Sequence, residues 1–392
     1  MYSTSESSTS NLDNFFNKSF NTILNTMKAN ENTNQINTIM TNSIGGKKKN
    51  MNRINTIMTN IIANKNQIKN IKNDDNNQVI IEPNKNIFLV SYRSSKIFKI
   101  FIHELINNGS FNNIYSFSTD NKTPCDNKII IRISNKNSTV DSINSELKGI
   151  KIQYELSSKS ENIGLVVDYG KIYNNTSEKK YKIQEYYIIE KYGINLDSIL
   201  RNSSNNYTYK TVIKFMKELL ESIHIIHQNN YAHLDLKPEN ILLKDIFSVN
   251  NKKINNFDFV IVDFGGAKKI KDDISREIYG QMASAAFSPP EILDYLFGKK
   301  SDIWAYGIIC YLLCINSGYK ESSCTKIFLG ENKDIIEKNI KKEINYSLKK
   351  KIKFKITSNE LDNLKIFFLK VFNVNSEMRP NTTELLNNTI FS

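Results

Sequence analysis

A chain of 392 residues, 40% hydrophobic and 24% charged, can bury a sizeable core and exceeds one average domain, which leaves two or three compact units or one two-lobed unit with a tail. Its 53 Lys and Arg against 40 Asp and Glu give a net charge of +13, which favours acidic partners such as nucleotides or phosphorylated groups and names none of them. The cysteines Cys125, Cys310, Cys314 and Cys324 form no CxxC pair and are too sparse for a disulfide framework, which excludes a disulfide-rich secreted class.

The amino-terminal stretch MYSTSESSTSNLDNFF has neither the basic flank nor the apolar run of a signal peptide, so a cytoplasmic or nuclear setting is expected. Residues 1–80 are rich in Asn, Ser, Thr and Lys and carry no aromatic after Phe20. So little apolar surface does not offset the entropy of ordering, and a disordered tail is expected. The heptapeptide INTIMTN occurs twice in it, starting at Ile36 and at Ile54, too few copies for a repeat architecture.

From Ile80 to Ile133 short runs of Ile, Phe, Val and Tyr are broken by Asn, Gly and Pro, the texture of strands and hairpins. Beyond Asp141 helical spacing takes over, with Ile143, Leu147, Ile150 and Tyr154 as a buried face. The run YYIIEKYGINLDSIL, from Tyr186 to Leu200, reads as a strand that meets Gly193 and gives way to a helix, the place for a hinge. Val212, Phe215, Met216, Leu219, Ile223 and Ile226 recur at threes and fours and make an amphipathic helix, and Asp302 to Ile315 makes an almost wholly apolar one. The apolar stretch Ile303 to Cys314 is too short to span a bilayer, so no transmembrane segment is expected. The expected class is α+β, with a strand-rich front over residues 81–192 and a helical back over 193–392, behind the tail 1–80.

The densest chemistry lies in His233-Leu234-Asp235-Leu236-Lys237-Pro238-Glu239-Asn240, set between the amphipathic helix and the apolar run Ile241-Leu242-Leu243. Phosphoryl transfer needs a carboxylate to accept and orient the incoming hydroxyl, a cation on the moving phosphoryl group and hard oxygen ligands for Mg²⁺. Asp235, Lys237 and Asn240 supply one of each. Downstream, the strand Phe259-Val260-Ile261-Val262 leads into Asp263-Phe264-Gly265, followed by Ser288-Pro289-Pro290-Glu291, by Asp302-Ile303-Trp304-Ala305-Tyr306-Gly307 and by Met378-Arg379-Pro380.

In this order, from His233 to Arg379, these motifs resemble those of the eukaryotic protein kinase superfamily. The resemblance implies a bilobal kinase fold, with 81–192 as the upper lobe and 193–392 as the lower. It also implies transfer of the γ-phosphoryl group of ATP to Ser or Thr hydroxyls of protein substrates. It assigns Asp235 as catalytic base, Lys237 to the moving phosphoryl group, and Asn240 and Asp263 to Mg²⁺. Glu291 pairs with Arg379 in this pattern, and the Asp302 carboxylate orders the catalytic-loop backbone. Ser284 is similar to the threonine whose hydroxyl bridges the catalytic Asp and Lys in Ser/Thr kinases. Leu234 stands where many members carry an arginine that grips a phosphate on the activation segment, so activity without that phosphate is expected.

The front departs from the family pattern. Ile106-Asn107-Asn108-Gly109-Ser110-Phe111-Asn112-Asn113-Ile114 aligns with the glycine-rich, nucleotide-covering loop but keeps only its middle glycine. Asn tolerates the turn, and side chains at Asn107 and Asn112 are expected to hold the loop farther from the phosphates. In Ile129-Ile130-Ile131-Arg132 an arginine occupies the place of the phosphate-gripping lysine: it keeps the charge and can fork two phosphate oxygens, yet it is longer and planar. Its expected partner is Glu146, which lies between Ile143 and Ile150 on the buried helix face, whereas Glu155 falls on the opposite side. In the hinge, Ile189 is the expected gatekeeper, with Glu190 and Tyr192 offering backbone groups to adenine. The compact EKYGINLDSIL resembles the hinge of casein kinase 1 and vaccinia-related kinases.

Two other readings fit parts of the chain. Arg132 and the thinned loop fit a pseudokinase that binds without transfer, but the intact Asp235, Asn240 and Asp263 have no use in a pure scaffold. An HxD with a later carboxylate fits a small-molecule phosphotransferase similar to the aminoglycoside kinases, from which the run Lys237 to Asn240, Pro-Pro-Glu and Met-Arg-Pro separate it. His103, His224 and His227 lack metal-ligand spacing with cysteine and are expected to be structural. No specific nucleic-acid partner is expected, and no oligomeric state follows.

Overall fold

In Ile97 to Ile102 every second side chain, Phe98, Ile100 and Ile102, is buried, the period of a strand with one face inward. The computed structural model describes residues 85–108, 112–119, 128–134, 140–172, 184–201, 207–244, 254, 256–271, 274–276, 285–294, 296–315, 328, 330 and 332–392. The expected tail, the repeated heptapeptide, Gly109, Ser110, Phe111, Ser284, Cys125 and Cys324 lie outside these residues.

The front is a closed barrel of strands β1 (Lys85–Ser91), β2 (Ile97–Asn108), β3 (Asn112–Ser118), β4 (Ile129–Ser134), β5 (Val166–Ile172) and β6 (Glu185–Glu190). Its order is β1-β2-β3-β4-β6-β5, and every neighbouring pair is antiparallel. Leu89, Ile100, Ile102, Phe117, Ile131, Val167, Tyr186 and Ile188 fill its interior. Helix α1 (Val140–Ser157) follows β4 and packs on β5 and β6.

Helical spacing was expected to continue beyond α1, yet β5 interrupts it. Asp168 and Gly170 break up its apolar run, and both have tertiary reasons. The Ser91 hydroxyl donates to Asp168 Oδ1 at 2.8 Å and the Tyr186 hydroxyl to Oδ2 at 2.7 Å, so a buried carboxyl, pushed up by burial, ties β1 and β6 to β5. A Cβ on Gly170 would lie 2.0 Å from the Val90 carbonyl oxygen, so only glycine lets β1 close the barrel here.

The hinge passes through Gly193, whose N–H donates to Leu243 O at 2.7 Å, into α2 (Leu196–Leu200), capped by Asn195. Helix α3 (Tyr209–Gln228) begins at the Thr208 cap and buries Val212, Phe215, Met216, Leu219, Ile223 and Ile226, the stripe read from the sequence. After it come β7 (Tyr231–Ala232), β8 (Ile241–Leu243), β9 (Phe259–Ile261) and β10 (Lys268–Lys269), paired as β7 with β10 and β8 with β9. In α4 (Lys299–Ile315) every residue after Lys299 is buried, and Cys310 and Cys314 belong to this core, with burial pushing both thiols up. Among the described residues no helix is long and apolar enough to cross a membrane.

Arg379, fully buried, donates to both oxygens of Glu291 at 2.8 and 2.9 Å, and its guanidinium lies 4.9 Å from the centre of the Trp304 ring. This pair fastens the segment around Glu291 to the helical back. A strand-rich lobe thus stands on a helical one, the α+β bilobal arrangement that the family resemblance implies.

Glu185 in β6 is 4% exposed, and burial pushes its carboxyl from an ordinary 4.5 up to about 7, opposed by the Tyr187 hydroxyl that donates to it, raised further by Glu146 and opposed by Lys151. The folded state therefore holds this proton more tightly than the unfolded chain, and the group's contribution to stability falls as pH rises from 4.5 through about 7. Glu185→Gln should melt several degrees above the wild type at pH 8, a gap on the order of 3 kcal/mol, and close to it at pH 4.5. Thermal melts with the same gap at both pH values would contradict this.

Candidate active site

Helix α3 ends at Gln228, capped by Asn229, and the chain turns back through Asn230 at φ 62° into the loop that carries Asp235. Leu234 has φ 63°, a left-handed conformation that is unfavourable for a branched residue without external support. The support is Asp302, 1% exposed on α4. Its Oδ1 accepts the Leu234 N–H at 2.8 Å, while Oδ2 accepts the His233 N–H at 2.8 Å and lies 2.8 Å from His227 Nε2. His227 is thus a structural histidine. Leu234 packs with Ala232, Ile270 and Phe297.

Within the loop, Lys237 Nζ is 3.0 Å from Asp235 Oδ2, and Asn240 Nδ2 donates to Asp235 O at 2.8 Å and to Oδ2 at 3.2 Å. Asn240 sits in the 3₁₀ turn Pro238–Asn240, and its carbonyl accepts the Val262 N–H at 3.0 Å. That bond laces the loop to the residue before Asp263, and the backbone at Gly266 passes beside Asp235. Asp263 itself has φ 63°, with Oδ1 accepting the Gly265 N–H at 3.3 Å.

The donor set suits Mg²⁺. With Nδ2 committed to Asp235, the Asn240 amide presents its oxygen, and Asp263 adds a carboxylate, both hard ligands. No group of three or more His, Cys, Asp or Glu among the described residues could hold a metal unaided. One carboxylate and one amide suit an ion that takes the rest of its oxygens from phosphates and water.

In the strand-rich lobe, Arg132 on β4 pairs with Glu146 on α1, with NH2 to Oε1 at 3.1 Å. Burial pushes the Glu146 carboxyl up, Arg132 and a hydrogen bond from Asn112 pull it down, and the charge of Asp263 raises it again, so Asp263 lies within electrostatic reach. Glu155 is elsewhere, bonded to Lys159 and the Tyr231 hydroxyl. Helix α1 is seated against the Asp263 segment at Gly149, where a Cβ would lie 2.6 Å from Gly265 N and from Phe264 C and O. Ser145 Oγ adds a bond to Gly265 O at 3.0 Å, and Phe264 is buried against the His233 ring, 4.6 Å between centres.

Of the loop read as nucleotide-covering, Ile106, Asn107 and Asn108 are exposed at the end of β2 and Asn113 and Ile114 lie in β3. The side chain of Asn112, expected to hold the loop farther from the phosphates, turns instead onto α1. It is buried and donates to Glu146 Oε1 at 2.6 Å. At the hinge the Glu190 N–H donates to Leu165 O at 3.1 Å, so an adenine contact by Glu190 would fall to its carbonyl. The Tyr192 hydroxyl accepts from Leu165 N–H at 2.8 Å and donates to Glu190 Oε2 at 2.9 Å, a bracing role that the sequence reading missed. Gly149 was missed too, although a glycine inside a helical stripe is itself a signal of close packing.

Residues 100–391 match the family described as protein kinase domain. Striated muscle preferentially expressed protein kinase of Danio rerio is 36% identical over 177 residues, which are 45% of this chain and 5% of that protein. Serine/threonine-protein kinase 17A of Oryctolagus cuniculus is 30% identical over 138 residues, 35% of this chain and 30% of that protein. The aligned stretches thus span less than a third of either relative. A crystal structure of a kinase domain superposes with a TM-score of 0.51 at 18% identity, over 78% of this chain and 97% of that one, which shows a shared fold.

Since a Cβ at position 149 would strike backbone, Gly149→Ala should push α1 off Phe264 and Gly265 and destabilise the protein by about 2 kcal/mol. Thermal melts and amide exchange across α1 test this, and unchanged values would show that the contact yields freely.

Proposed function

Because the chain belongs to the protein kinase domain family, we propose that it transfers the γ-phosphoryl group of ATP to Ser or Thr hydroxyls of protein substrates. One observation carries the reading: the cation Arg132, in the place of the family's phosphate-binding lysine, is held by Glu146 on a helix seated against the Asp263 segment. The Ser/Thr preference rests on Lys237 two residues after Asp235, and on the name of the relative serine/threonine-protein kinase 17A.

In this reading Asp235 accepts the hydrogen of the incoming hydroxyl and aims its oxygen at the γ-phosphorus. Lys237, already beside the Asp235 carboxylate, offsets negative charge on the moving phosphoryl group. Asn240 and Asp263 would hold Mg²⁺, which supplies charge neutralisation on the β and γ phosphates when bound. Arg132 takes α and β phosphate oxygens, and the Glu190 carbonyl and the Tyr192 backbone hold the adenine edge beside Ile189. Leu234 offers an apolar cluster rather than a cation, which supports activity without a phosphate on the activation segment. A binding scaffold without transfer is the second reading, favoured by the arginine at 132.

Purified protein with Mg-ATP and mixed protein acceptors should label Ser and Thr, and Asp235→Asn and Asp263→Asn should each slow labelling by about 10²- to 10⁴-fold. Nucleotide binding with no transfer would establish the scaffold instead, and transfer only to small alcohols would establish a small-molecule phosphotransferase.

A further inference from the structure

Two departures from the family pattern meet on one atom. Arg132 NH2 and Asn112 Nδ2 both reach Glu146 Oε1, at 3.1 and 2.6 Å. The first departure puts arginine in the place of lysine, and the second puts a side chain where the loop pattern has its last glycine. The barrel brings them together: Arg132 on β4 lies opposite Ile114 on β3, so Asn112, two residues from Ile114, is its diagonal neighbour on the same face.

An arginine beside a carboxylate tends to close a two-pronged pair, with two N–H groups on two oxygens. That geometry would commit the guanidinium to Glu146 and turn it from any phosphate. It has not formed here. Arg132 contacts a single oxygen through NH2, its Nε is buried with no partner, and the same oxygen also accepts from Asn112 at shorter distance, which fixes how the carboxylate is turned. A lysine ammonium has no fork to close, so a chain with lysine at 132 would need no such orientation of the carboxylate.

We infer that Asn112 is a positioning residue for Arg132: its bond to Glu146 Oε1 orients the carboxylate so that the ion pair keeps to one contact, which leaves the Arg132 NH1 group to nucleotide phosphates. This rests on the proposal that Arg132 serves a bound nucleotide. It makes the two departures compensate for each other, and it joins the loop strand β3 to α1 through one carboxylate.

The test is a double-mutant cycle on Mg-ATP affinity, measured by calorimetry on the full chain, with melting temperatures as a check on folding. Asn112→Ala should weaken Mg-ATP binding about tenfold when residue 132 is arginine, and by less than about twofold in the Arg132→Lys background. Asn112→Ser, too short to reach Glu146, should behave as Asn112→Ala does, which keeps the test open if one variant folds poorly. Equal weakening in both backgrounds, or none in either, would overturn the inference while leaving the kinase reading intact. Failure of the wild type to bind Mg-ATP would overturn that reading, and the inference with it.

Discussion

One buried carboxylate sets the loop that carries Asp235. Asp302 receives the His233 and Leu234 N–H groups and lies against the His227 ring, so its charge is met in a site with almost no access to water. Those bonds hold Leu234 at a positive φ, and the turn they fix aims Asp235 toward Lys237 and Asn240. Everything downstream inherits that geometry. Asn240 is bonded to Val262, Val262 precedes Asp263, and the Phe264 and Gly265 backbone is the surface on which α1 rests at Gly149. The position of Glu146, and through it Arg132, thus traces back to a residue on the central helix of the other lobe.

The two lobes solve different problems with polar groups taken out of water. In the helical lobe the forked pair of Arg379 and Glu291 is complete, with further bonds from the guanidinium to Asn373 O and Lys300 O. Such a pair adds little net stability over an apolar substitute, but breaking it strands a buried charge, so it enforces one way of docking the segment. In the barrel the arrangement at Glu146 is incomplete by comparison. Arg132 Nε and Asn112 Oδ1 are both buried without partners, the condition expected where a site has been shaped for something other than its own closure.

How much could be read beforehand depended on whether a residue's meaning was local. His233 to Asn240, Asp263 to Gly265 and Asp302 are short runs whose spacing carries their chemistry, and the stripe from Val212 to Ile226 announces a helix by its period alone. Glu146 was separable from Glu155 because helical geometry puts them on different faces. The strand β5 was not legible, since Asp168 and Gly170 look unsuitable for a buried strand until Ser91, Tyr186 and the Val90 carbonyl stand beside them. Asn112 was read as an obstacle on the loop because nothing near it in the chain reveals that its partner lies on α1.

By itself, then, the amino-acid order determined which side chains are of the types phosphoryl chemistry uses, which elements carry them and which face of α1 turns inward, because periodicity and motif spacing are properties of neighbouring residues. Only the tertiary structure decided that β1 closes the barrel, that α1 sits on Gly265 through Gly149, and that Asn112 and Arg132 share one oxygen of Glu146. Each of these rests on atoms brought within bonding or contact distance from separate strands and helices, and no local pattern encodes where a distant backbone will pass.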